Sequence, residues 1–100
     1  MAVRSIVQDS KVCLFCLKEE PLHKHHIYEG HNRQRSEKNG LFVYLCPEHH
    51  RLAHEDGRYE KLLKRHGQRM FEKTHTRDSF VRLIGKNYLD DEEEENANRL

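Results

Sequence analysis

Two short stretches concentrate the side chains able to ligate a metal or move a proton: His25-His26-Ile27, and Leu45-Cys46-Pro47-Glu48-His49-His50-Arg51-Leu52-Ala53-His54. They hold five of the nine histidines, and Cys13-Leu14-Phe15-Cys16 adds two thiols upstream. Cys13-x-x-Cys16 and Cys46-x-x-His49 are ligand pairs with tight-turn spacing. Brought together they supply the four ligands of a tetrahedral ion such as zinc. Spacing alone leaves His49, His50 and His54 as competitors for the fourth place. His50 and His54 are four residues apart and share a helix face, while His49 points about 100° away. With His49 on the thiols, His50 and His54 are free for a second ion, completed by His25 or His26. A site of three protein ligands keeps positions open for water and substrate, as catalytic sites do. The remaining strand-end histidine would stand beside that ion as a free imidazole, and its ordinary pKa of about 6.5 suits a general base.

These side chains must be positioned by a small frame. The chain has 100 residues, 35% of them hydrophobic and none of them Trp. That is one domain with a thin core, the kind that relies on a metal as a staple. Three cysteines cannot all pair with one another, and Met1 to Ser10 carries no apolar run, so no secretory leader is expected. No stretch approaches the roughly 18 apolar residues of a membrane span. A reducing, cytoplasmic setting is the expectation, in which Cys-x-x-Cys binds metal. Charge is divided unevenly. Residues 90–100 carry six acidic residues against Arg99, a net of −5, whereas residues 1–89 carry 17 Lys/Arg against 11 Asp/Glu, a net of +6. A basic body suits a polyanionic partner, and the acidic end reads as a disordered tail.

The element pattern is α+β. Residues 1–12 read as an extended lead-in, Leu22 to Tyr28 as a short strand, Glu29 to Gly40 as a polar, basic loop, and Leu41 to Leu45 as a strand rich in β-branched and aromatic residues. The two strands can pair as a hairpin across the loop. Pro47 suits the first turn of a helix reaching about Glu55. A second helix is predicted from about Arg58 to Lys73, with Tyr59, Leu62, Leu63, His66 and Met70 as its buried stripe, and Gly67 is a weak point within it. Thr76 can cap a third helix with Phe80, Leu83, Ile84 and Tyr88 facing the core.

Taken in order, Cys-x-x-Cys, His-His-Ile at a strand end, a strand closing on Leu-Cys, and Cys-x-x-His-His-x-x-x-His resemble the HNH endonucleases of the ββα-metal fold, in particular small phage and prophage members. His25-His26-Ile27-Tyr28-Glu29-Gly30, Arg35-Ser36-Glu37-Lys38-x-Gly40-Leu41 and Val43-Tyr44-Leu45-Cys46 carry the likeness, which covers roughly residues 13–89. The resemblance implies a zinc-stapled HNH domain over residues 1–89 with two additional C-terminal helices, followed by the tail at 90–100. It implies His25, His50 and His54 as ligands of a catalytic divalent ion and His26 as the base. It also implies Cys13, Cys16, Cys46 and His49 as structural zinc ligands, with His49 where many members have a fourth cysteine. The family's central Asn falls here on Leu41, and Asn39 lies two residues out of register. Asn39, or a backbone carbonyl, is therefore the group expected to orient His26.

The function expected on this basis is hydrolysis of DNA phosphodiester bonds, in a bacterial host cell and of phage or prophage origin. Arg33, Arg35, Lys38 and Arg51 are the residues expected to meet phosphates. Three imidazoles suit Zn or Ni, and the resemblance keeps Mn and Mg as candidates. The rival expectation is a zinc-stabilised nucleic-acid-binding module that does not cut. A third is a zinc-stabilised protein-interaction module.

Overall fold

The computed structural model describes residues 3–89; the stretch 90–100, read above as an acidic tail, lies outside the described residues. The architecture is α+β: a two-stranded sheet and four α-helices. β1 (His23–His26) pairs antiparallel with β2 (Phe42–Leu45), in the register His23 with Leu45, Lys24 with Tyr44, His25 with Val43 and His26 with Phe42. α1 (Arg33–Lys38) lies between the strands, and α2 (Pro47–Glu55), α3 (Gly57–Phe71) and α4 (Arg77–Ile84) follow. No helix among the described residues is long and apolar enough to cross a membrane.

The expected loop 29–40 holds a 3-10 turn (Gly30–Asn32) and then α1. The run Arg33-Gln34-Arg35-Ser36-Glu37-Lys38 has good helix formers at all but one position, and its single small residue is what docks it. Ser36 is fully buried; its hydroxyl donates to the Tyr28 carbonyl at 2.9 Å and accepts from the Tyr28 N–H at 3.2 Å. Gly40 then turns the chain into β2 at φ +69°, where a Cβ would collide with the Arg4 carbonyl. The lead-in is fixed here too, because the Ile6 N–H donates to the Gly40 carbonyl at 2.9 Å. The open edge of β2 is covered at Tyr44. Its N–H donates to Gln8 Oε1 at 2.9 Å, and its carbonyl accepts from the Leu14 N–H at 3.0 Å. An edge closed in this way is not available for pairing with another chain.

α2 begins on Pro47, as expected. Asp56 follows α2 and caps α3, accepting the Arg58 N–H at 3.0 Å, so the two helices meet at one residue. α3 runs unbroken through Gly67, which is the point at which it touches β1's continuation. A Cβ there would lie 2.8 Å from the Tyr28 hydroxyl and 3.2 Å from Ile27 Cδ1. Tyr28 in turn donates to the Lys64 carbonyl at 2.6 Å. The buried face of α3 is accordingly Leu63, Gly67, Gln68 and Phe71, and Leu62 is 52% exposed, outside the stripe expected for it. Gln68 is buried because its side chain satisfies the segment after α4: Oε1 accepts the Tyr88 N–H and Nε2 donates to Asn87 Oδ1. Thr76 caps α4 as expected, accepting the Ser79 N–H at 3.1 Å. Phe80 and Ile84 enter the core with Ile27, Tyr28 and Phe71.

Candidate metal centres

The first cluster forms where the knuckle 13–16 meets the start of α2. Cys46 and His49 sit one helical turn apart, and the Leu14–Tyr44 backbone bond holds the knuckle against β2 just before Cys46. Leu17 takes φ +66°, and the backbone curls so that the Cys13 N–H donates to the Lys18 carbonyl at 2.8 Å. Cys16 Sγ lies 3.8 Å from Cys46 Sγ. His49 Nδ1 lies 3.6 Å from Cys13 Sγ and 3.2 Å from Cys46 Sγ. Ligand atoms about 2.0–2.3 Å from a tetrahedral ion stand roughly 3.3–3.8 Å apart, so this donor set fits one. The His49 ring packs on Phe15 and Tyr59, with centroids 5.4 and 6.3 Å away. Burial opposes ionisation of Cys13, but N–H groups of Cys46, Cys16 and Phe15 outweigh it and bring the thiol down to about 6. A thiolate is the form that ligates. Cys13, Cys16, Cys46 and His49 together could hold a metal ion.

The second cluster follows from strand alternation. Side chains two apart share a face of β1. His23 and His25 face α2, their rings 5.0 and 5.3 Å from that of His50. Lys24 and His26 both reach Glu37 on α1. His50 and His54, one turn apart on α2, bring Nε2 to Nε2 at 3.2 Å. One ring nitrogen each from His25, His50 and His54 lies within 4.8 Å of the others, a second group able to hold an ion. Burial, with His50, His54 and His26 adding to it, holds His25 down to about 4. His50 is lowered as well, by burial and by His54 and His23. Neutral imidazole is the ligating form. An open pocket of about 380 Å³ lies over these residues, lined also by Lys24, His26, Glu29 and Arg33.

The residues expected to meet phosphates divide. Arg33 lines the pocket. Lys38 is exposed at the end of α1, Arg35 is drawn to Asn32 Oδ1 at 2.9 Å, and Arg51 pairs with Glu55 on exposed α2 surface, so none of these three lines it. Asn39 does not orient His26. It ends α1, and its side chain folds back to donate to the Arg35 carbonyl at 2.8 Å. The group on His26 is Glu37, with Oε2 2.7 Å from Nε2. The bond to His26, then that to Lys24 at 3.0 Å, holds the Glu37 carboxyl below its usual range. From the sequence, Glu37, Glu29 and Lys24 carry no site role, and His23 is considered only as a substitute base. Alternation along β1 would have offered Lys24 and His23, but the two glutamates depend on how α1 and the 3-10 turn pack.

Compared with protein-family models, curated proteins and solved structures, the chain matches none.

Proposed function

We propose that this chain is a metal-dependent endonuclease of the HNH type that hydrolyses DNA phosphodiester bonds, with β1, β2 and α2 as a ββα-metal unit and zinc on the four-ligand cluster. One observation carries the reading: three imidazoles from β1 and α2 converge beside a fourth, His26, that is engaged by a carboxylate, in a pocket flanked by Lys24 and Arg33. His25, His50 and His54 would hold a divalent ion, which when bound supplies charge stabilisation to the scissile phosphate and the departing 3′ oxygen. Their three nitrogens favour Zn or Ni over Mg or Mn.

The chain's own groups perform the proton transfer. With Glu37 ionised, His26 Nε2–H donates to it, and Nδ1 is left as the nitrogen with a lone pair. That nitrogen takes the proton of the attacking water. Glu37 stabilises the imidazolium that results, and Lys24 keeps Glu37 charged. Arg33 contacts a phosphate and so places the backbone without reading bases.

The test is nicking of supercoiled plasmid with added divalent metal, with chelator, and with His26→Ala carrying its full metal content. Nicking that requires metal and is lost in His26→Ala is the expected result. Two bound ions without metal-dependent nicking would leave a zinc-stabilised binding module instead.

A further inference from the structure

We propose that His23 and Glu29 are positioning residues for the three-histidine cluster, holding the ring hydrogens on Nδ1 and so aiming the Nε2 atoms at the ion. The proposal rests on the metal reading of that cluster. His23 Nδ1 lies 2.9 Å from His50 Nδ1. At that distance one nitrogen donates and the other accepts, because two lone pairs or two N–H groups would repel. His50 Nε2 is the atom that faces His54 Nε2, so it is the ligating one, and the hydrogen of His50 sits on Nδ1. His23 is then the acceptor.

Glu29 favours the same tautomer from the other side through its charge rather than through a hydrogen bond. Its Oε1 lies 3.4 Å from His54 Nδ1 and 3.9 Å from His25 Nδ1, so one carboxylate oxygen attends two imidazoles from different elements. In His50 and His54 the Nδ1 side thus faces a partner and the two Nε2 atoms face each other at 3.2 Å, while His25 Nδ1 lies toward the same carboxylate beyond hydrogen-bond range. The chain places both residues by simple means. His23 is opposite Leu45 in the sheet, one residue before Cys46 and the start of α2. Glu29 stands in extended backbone (φ −97°, ψ −173°) between β1 and the 3-10 turn. Outer partners of this kind set ring orientation and ligand basicity, and their loss typically weakens metal binding about 10–100-fold.

The experiment titrates Co²⁺ into protein already holding one zinc, reading second-site affinity by absorption. His23→Leu should weaken that affinity about 10–100-fold, with the first zinc and the melting curve retained. His23→Gln, which returns an acceptor, should recover most of it. Glu29→Ala should weaken it similarly, and Glu29→Gln less. Wild-type affinity in both His23→Leu and Glu29→Ala overturns the proposal. A loss as complete as that of His50→Ala overturns it too, since the residue would then be a ligand. If the wild-type chain takes up no second Co²⁺, the three-histidine metal reading fails and this inference fails with it. Uptake by wild type with indifferent variants overturns the inference alone.

Discussion

Cys13, Cys16, Cys46 and His49 close on one another from two distant segments, whereas His25, His50 and His54 stand along the wall of an open pocket. Both clusters draw on α2, and adjacent residues, His49 and His50, serve different ones. The first has four ligands and an aromatic backing of Phe15 and Tyr59. The second has three, with Glu37, Lys24 and Arg33 at hand. Donor number and neighbouring charge thus differ between two clusters served by one helix: four donors fill a tetrahedral ion, and three leave a position open.

The largest expected effect tests that division directly. Cys16→Ser should remove the first ion and abolish the cooperative melt, because metal binding at such a site is folding free energy. His50→Ala should lose only the second ion and melt cooperatively. A Cys16→Ser protein that melts like wild type would show that the four-ligand cluster is not the staple. Within the open cluster, His26→Ala should slow cleavage about 10²–10⁴-fold, the usual worth of a general base, with both ions retained. Glu37→Ala should slow it less, and Asn39→Ala should leave it unchanged. Equal losses from Glu37→Ala and Asn39→Ala would mean that the Glu37 contact is not what orients His26.

Packing away from both clusters supplies the control. Gly67→Ala gains helix propensity, but its Cβ meets Tyr28 and Ile27, so a net loss of about 1–3 kcal/mol is expected. Both metals should stay bound; loss of either would tie the clusters to the α3 contact. The smallest effect concerns alkaline pH. Burial, with a contribution from Tyr88, raises the Tyr28 phenol well above its usual value, against a lowering by the Gln68 backbone. The folded chain therefore keeps a proton that the unfolded chain gives up above about pH 10. Stability is fully present below that pH and falls as pH rises past it. Tyr28→Phe should lose about 1 kcal/mol at neutral pH and flatten the alkaline fall in melting temperature. An equal slope in both proteins would remove Tyr28 as its source.

The two clusters are legible because most of their members pair within one local, regular segment: a knuckle, a helical turn, an i,i+4 face. Helix rotation sets His49 apart from His50 and His54, but the choice of His25 over His26 comes only with the family resemblance. The carboxylates are not legible. Residues 29–40 are polar and bounded by glycines, and the helix they contain is fixed by a single buried serine rather than by an apolar stripe. Asn39 lies out of the family's register, and at the end of α1 its side chain turns back to the Arg35 carbonyl. Gln68 is absent from the expected stripe of α3 because its inward place depends on satisfying the Tyr88 N–H, which an amide can do and an apolar pattern does not reveal.

The adjacency of His49 and His50 also constrains how this chain can change in length. One residue inserted or deleted within 50–54 rotates the helix beyond it by about 100°. His54 would leave the pocket while Cys46 and His49 kept theirs. The same event between Cys46 and His49 would turn His49 off the thiols and rotate His50 and His54 off β1, damaging both sites at once. Length variation in homologous chains should thus be excluded from 46–54, and the Asp56 junction, just beyond the last ligand, is the first place along α2 where it could be absorbed.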